Sequence, residues 1–264
     1  MKAHKSILYF LGTLILVLFW GCESNDNPLS SVYIQQPVNR KVLVEFFTNS
    51  GCTPCVVVHN YFQQLSSQSG VTINDSSVIL ISFHYRYPYP YDSLYLANVP
   101  ENDARGTYYN ILFTPNVLLD GTYMGQYSSS EYSAQLNNEM NTTKYMNITL
   151  SNSYDSTNRN GTITSNFQLV TSLPTADNVL HVVLTESNIA YMGTNGITSF
   201  DDVMRDMVTG GNGEQITLSQ GQGNTVTKNY TINTRWNADE CDLIVYVQSV
   251  STKKIYGVEK IKVK

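Results

Sequence analysis

Charge is scarce in this chain. Only 14% of its 264 residues are Asp, Glu, Lys or Arg, against about 25% in an average soluble protein. The 16 basic side chains do not outnumber the 21 acidic ones. There is thus no basic surplus to hold nucleic acid or an anionic membrane surface. Four cysteines are too few for a disulfide scaffold, and the chain is long enough to build a core without one. Fixed-period repeats are missing. Past residue 21 no apolar run approaches the roughly 20 residues of a membrane span. Gly210-Gly211-Asn212-Gly213 lacks the Lys and Ser/Thr of a phosphate loop. What fills the space is Asn, Ser, Thr and 19 Tyr, a profile that suits an extracytoplasmic, β-rich protein.

The N-terminus reads as an export signal. Lys2 and Lys5 precede an apolar run over residues 7–20, too short to span a bilayer. Gly21-Cys22 closes the run and a polar stretch, 23–27, follows. This resembles a bacterial lipoprotein signal, in which the cysteine is lipidated and becomes the first mature residue. The resemblance implies removal of 1–21 and attachment to a lipid bilayer through acylated Cys22. More than one acyl chain gives lasting attachment. Loss of the two lysines takes the formal charge from −5 to −7. Residues 22–38, with Pro28 and Pro37, read as a polar stalk.

Two regions follow. Across 39–144 strand and helix signals alternate: an apolar strand over 42–47, then a helix over 54–69 with Val57, Val58, Tyr61, Phe62 and Leu65 at 3/4 spacing, closed by Gly70. An apolar run at 78–83, a helical stretch near 101–110, a strand at 116–119 ended by Asp120-Gly121, and a helix at 129–140 complete it. The order predicts an α/β domain. Across 145–264 short strands of polar and β-branched residues, such as Thr162-Ile163-Thr164 and Thr225-Val226-Thr227, are separated by Gly and Asn clusters. This predicts an antiparallel β-sandwich, immunoglobulin-like or jelly-roll-like.

The chemistry-bearing motif is Cys52-Thr53-Pro54-Cys55, at the junction of an apolar strand and an amphipathic helix. A helix N-terminus favours a thiolate, and Pro54 sits where its missing N–H costs nothing. Residues 42–55 resemble the thioredoxin superfamily, and Thr114-Pro115 with the strand after it is similar to that family's cis-proline element. The resemblance implies Cys52 as attacking thiol, Cys55 as resolving thiol, and Thr114 and Pro115 at the docking site for protein thiols or disulfides. Glu45 aligns with the family's buried proton-moving acid. Gly51 stands where the family usually has Trp, and 82–105, with its run of tyrosines and prolines, is an insertion. The lipoprotein signal, the C-x-x-C, the Tyr-rich insertion and the C-terminal β region together resemble the outer-membrane-protein-28-related family of Gram-negative lipoproteins. That implies a lipid-anchored protein of the cell envelope, at the outer membrane, facing the periplasm or the cell surface.

Two functions stay open. One is a tethered thiol–disulfide oxidoreductase. The other is a non-catalytic binding or assembly lipoprotein in which the C-x-x-C is a structural disulfide. No cofactor is implied. Metal binding by Cys52, Cys55 and His59 lacks a fourth ligand, so no metal site is expected. Cys241 reads as a buried free thiol, and His181 as a packed core residue.

Overall fold

The computed structural model describes residues 40–67 and 77–264; the signal, Cys22, the stalk and the Gly70 cap lie outside them. The elements in chain order are β1 (Val42–Thr48), α1 (Cys55–Ser67), β2 (Val78–His84), α2 (Ser93–Leu96), α3 (Val99–Tyr108), β3 (Asn116–Leu119), β4 (Thr122–Tyr123) and α4 (Ser129–Met140). They continue with β5 (Met146–Asp155), β6 (Asn160–Leu169), β7 (Asn178–Glu186), β8 (Ile189–Ala190), β9 (Ser199–Phe200), β10 (Val203–Met207), β11 (Glu214–Gln215), β12 (Asn224–Thr231), β13 (Cys241–Ser249) and β14 (Ile255–Lys262). The fold is mixed α/β with mostly β content. None of the described helices is long and apolar enough to cross a membrane.

β1 and β2 are parallel and buried at every residue, as a strand covered on both faces should be. On one face Val42, Val44 and Phe46 meet Val58, Tyr61, Phe62 and Leu65 of α1 and Leu136 and Met140 of α4. Val57 is not part of that face; it is 52% exposed. Ser128 caps α4 by accepting from the Glu131 N–H, which fixes where that helix starts. On the other face Leu43, Phe47, Ile79, Ile81 and Phe83 meet Ile244, Tyr246 and Ile255 from the C-terminal strands.

That second contact is possible because both regions share one sheet. Its strand order is β14-β13-β7-β10-β2-β1-β3-β4, with β11 also on β7. The seam is β10, antiparallel to β7 and joined to β2 at Val203↔Ser82; the Ser82 N–H donates to Asp202 O. The sheet curls until its ends approach. Asp120, in the β3–β4 turn, accepts from Arg40 Nη2 (2.5 Å) and from the Leu43 N–H (2.8 Å), while its own carbonyl accepts from the Ile255 N–H. Gly121 has φ +84° and a Cβ there would lie 1.9 Å from Lys253 O, so only glycine fits.

A second sheet, β12-β6-β5, is antiparallel throughout. Its Ile163, Phe167 and Tyr230 pack on Leu180, Val182, Leu243 and Val245 of the large sheet. The C-terminal region is therefore a two-layer antiparallel β structure. The wide outer face alternates with the buried one, as period-2 side chains require.

The curled interior holds a charged cluster. Glu45 and Arg105 are both fully buried; Arg105 Nε and Nη2 donate to the two Glu45 oxygens at 2.6 and 3.0 Å. Arg105 also donates to Gln248 Oε1 (2.9 Å), and the Tyr109 hydroxyl donates to Glu45 Oε2 (2.5 Å). Burial pushes that hydroxyl well above its usual range, so it remains a donor. His181 stacks on Tyr246 beside this cluster; burial first, and then Arg105, hold its imidazole well below its usual range. We predict that Arg105→Met, which leaves Glu45 buried and unpaired, costs about 3–5 kcal/mol in urea unfolding. Adding Glu45→Gln should restore part of that loss.

Candidate functional site

The loop between β1 and α1 carries the C-x-x-C. Cys52 and Cys55 form a disulfide, S–S 2.03 Å and Cα–Cα 5.3 Å. Cys55 opens α1, and its N–H points at Cys52 Sγ (3.2 Å). Neither cysteine is exposed; both lie at 0% within the α1–β1 core, while Thr53 and Pro54 between them are exposed.

Three anchors hold the loop. Asn49 is buried; its amide nitrogen donates to Tyr85 O (2.6 Å) and Tyr89 O (2.9 Å), and its oxygen accepts from the Gly51 N–H. Asp92 accepts from the Ser50 N–H (2.9 Å), caps α2 through the Leu94 N–H, and lies 2.6 Å from His84 Nδ1. Burial pushes the Asp92 carboxyl up, but His84 and those N–H donors outweigh it and hold it below the ordinary carboxylate range. The third anchor comes from far along the chain. Asn195, at the tip of the β8–β9 hairpin, donates its backbone N–H to Ser50 O (2.9 Å). Its side-chain nitrogen donates to Asn49 O (3.3 Å) and Cys52 O (3.2 Å), and the Thr194 hydroxyl donates to Ser50 O (3.3 Å). Gly51 is explained from the other side: a Cβ there would sit 2.5 Å from Tyr89 Cβ. The tyrosine insertion occupies the space a larger residue would need.

The expected site residues separate. The Thr114–Pro115 bond is cis, and so is Tyr87–Pro88. Asn116 pairs with Phe47, so Pro115 comes level with Thr48, at the end of β1 that leads to the cysteines. Thr114 donates its hydroxyl to Tyr87 O. Glu45 is not brought to the cysteines. It shares the face of Leu43 and Phe47, whereas Cys52 and Cys55 cluster with Val44 and Phe46, and its carboxylate is taken up by Arg105 and Tyr109. The buried acid–base pair on the cysteine side of the sheet is His84–Asp92, which alternation from Val78 and Leu80 puts on that face. His59 lies on α1 with its ring 6.1 Å from Phe200, and both sulfurs it might join are in the disulfide. Cys241 is buried and free; burial, with Glu186 nearby, pushes its thiol up to about 12.

The sequence alone does not mark Asn49, Asp92 or Asn195 as site residues. The first two carry local signals: an Asn two residues before a glycine, and an Asp before a short apolar helix. Asn195-Gly196 announces a turn, but nothing in the sequence says what the turn touches.

Residues 102–264 match the family described as outer membrane protein Omp28. The match starts within α3, so the two cysteines precede it. Among solved structures, HBP35 of Porphyromonas gingivalis superposes with a TM-score of 0.69 at 13% identity, over 84% of this chain and 75% of that one. At that identity the likeness is one of fold. A domain of the outer membrane lipoprotein Omp28 from Porphyromonas gingivalis is 18% identical over 47% of this chain and 91% of that one, with a TM-score of 0.34. No curated protein matches the chain.

Asp92 sets a pH dependence. Its folded pKa is depressed, so its stabilisation is present above the ordinary Asp value, about pH 4, and is lost as pH falls through the folded value. Asp92→Asn should cost about 1.5–3 kcal/mol at pH 7, with the gap to wild type shrinking in urea titrations at pH 3.

Proposed function

The chain belongs to the Omp28 family of outer membrane proteins, and we propose that it acts there as a non-catalytic binding or assembly protein whose Cys52–Cys55 disulfide is a structural staple. Its location is the cell envelope, at the outer membrane. Acylation of Cys22 supplies the tether in this reading. The observation that carries it is the complete burial of both cysteines in the β1–α1 core, with the loop backbone fastened by Asn195. Thiol exchange requires a thiolate to reach a sulfur of the pair, and the burial supports a pair kept out of such exchange. Binding then falls to the C-terminal β region, residues 145–264. Its three-stranded sheet presents an outer face of hydroxyls and amides, among them Thr149, Ser151, Asn166, Thr225 and Thr227, with Asp155 the charge at its end. Partner proteins or surface glycans are the ligand classes that suit such a face.

A second reading rests on backbone placement. The β1-α1-β2 unit, the antiparallel β3, the C-x-P-C at the start of α1 and the cis Pro115 level with Thr48 favour a thioredoxin-like unit over 39–144. There Cys52 attacks a protein disulfide, or its own disulfide is attacked by a protein thiol. Cys55 resolves the mixed disulfide, and Thr114 and Pro115 shape the docking groove. Glu45 has no part in it from the opposite face.

The two readings separate on Cys55→Ser in the full chain. The staple reading expects no mixed disulfide at Cys52 among envelope proteins. It expects Cys52→Ser with Cys55→Ser to lose about 2 kcal/mol of stability, the chain-entropy value for so short a loop. Partner proteins recovered through Cys52 would overturn it in favour of the second.

A further inference from the structure

We propose that the β8–β9 hairpin is a lid over the Cys52–Cys55 pair, and that its lifting opens the disulfide to attack by a dithiol. The inference rests on the staple reading, because it names what keeps the pair sealed.

The hairpin is a separate two-stranded sheet of two residue pairs, Ile189↔Phe200 and Ala190↔Ser199. So short a ribbon has little stability of its own. Besides Asp201, which accepts from Gln63 Nε2 of α1 (2.6 Å), it is held at two points. One is apolar: Ile197 and Phe200 pack with Leu94, Val203 and the partly buried Val56. The other is the polar tip, where Thr194 and Asn195 donate only to the carbonyls of Asn49, Ser50 and Cys52. These are the backbone groups of the motif loop itself. The tip makes its contact across more than 140 positions of sequence.

A cleft of about 560 Å³ opens between the hairpin and α1, lined by His59, Asn60 and Gln63 on one side and Thr198, Ser199 and Asp201 on the other, and Gln63 Nε2 bridges it by donating to Asp201 Oδ2. Met192, near the tip, is 71% exposed. Beneath it, by contrast, β1 is buried at every residue and paired on both edges. An element with only two residue pairs of its own opens at lower free energy than strands buried and paired along their whole length. Releasing the tip frees the Cys52 carbonyl and uncovers the loop while β1, β2 and α1 stay in place.

A thiolate of an external dithiol attacks one sulfur of the pair, and the Cys52–Cys55 bond breaks. The departing sulfur leaves as thiolate and takes a proton. The second thiol of the reagent then displaces the remaining protein sulfur. Two electrons and two protons pass to the protein, and the reagent is left as its own disulfide.

The test is reduction of the folded full chain in detergent by dithiothreitol, read by alkylation and mass. Asn195→Asp sets a carboxylate against the Asn49 and Cys52 carbonyls, and should be reduced at least 10-fold faster than wild type. Equal, slow rates would overturn the lid and leave the staple reading standing, since the core alone would then seal the pair. Fast reduction of folded wild type would overturn both. Hydrogen exchange of wild type gives a readout that needs no variant. The Asn195 amide should exchange at least 100-fold faster than the amides of β1, and comparable protection would overturn the lid.

Discussion

β1 is buried along its whole length on both faces, and that constraint organises the molecule. A strand covered twice needs two layers. α1 and α4, encoded next to it, supply one. The other comes from β13 and β14, nearly 200 residues away. The chain meets this demand by extending one sheet through β10 and curling it until Asp120 meets Ile255. The N-terminal α/β region and the C-terminal β region are thereby parts of one sheet. A charged residue on the inner face, Glu45, is tolerable only because α3 delivers Arg105 to the same interior. Burying one of those charges without the other is far costlier than burying the pair.

The same parity decides the chemistry at the motif. Alternation along β1 sends Val44 and Phe46 toward the cysteines and Glu45 away from them. A proton-handling role for Glu45 at the thiols therefore finds no geometric support. The acid–base pair on the cysteine side, His84 with Asp92, is engaged in holding the loop. Asp92 fastens Ser50, Asn49 fastens the tyrosine insertion, and Asn195 fastens both Asn49 and Cys52. Every anchor fixes the loop backbone in place.

Much of this was legible locally. The 3/4 spacing of Val58, Tyr61, Phe62 and Leu65 marks α1, and Ser128 marks the start of α4, because helix period and caps are written within a dozen residues. The Thr-rich alternation of β5, β6 and β12 marks a sheet with one wet face. Other features were not legible, for one physical reason: their partners are remote. The β10 seam depends on a single residue pair, Val203 with Ser82. Arg105 in a tyrosine-rich helical stretch reads as a surface cation until β13 is laid over it. The element bonded to the Cys52 carbonyl is a short hairpin whose sequence says only that it turns. The C-x-x-C lies where its neighbours predict, between β1 and α1, but its loop backbone is anchored by residues more than 30 and more than 130 positions downstream.

On the staple reading the fold favours the oxidised Cys52–Cys55 pair as part of its core. Linkage makes this measurable: if the disulfide stabilises the folded state, the folded state stabilises the disulfide equally. An equilibrium redox titration of the folded full chain, followed by thiol alkylation, reads it directly. The account predicts a midpoint below about −300 mV, where structural disulfides lie. A midpoint above about −230 mV, in the range of proteins that exchange disulfides for a living, would contradict it.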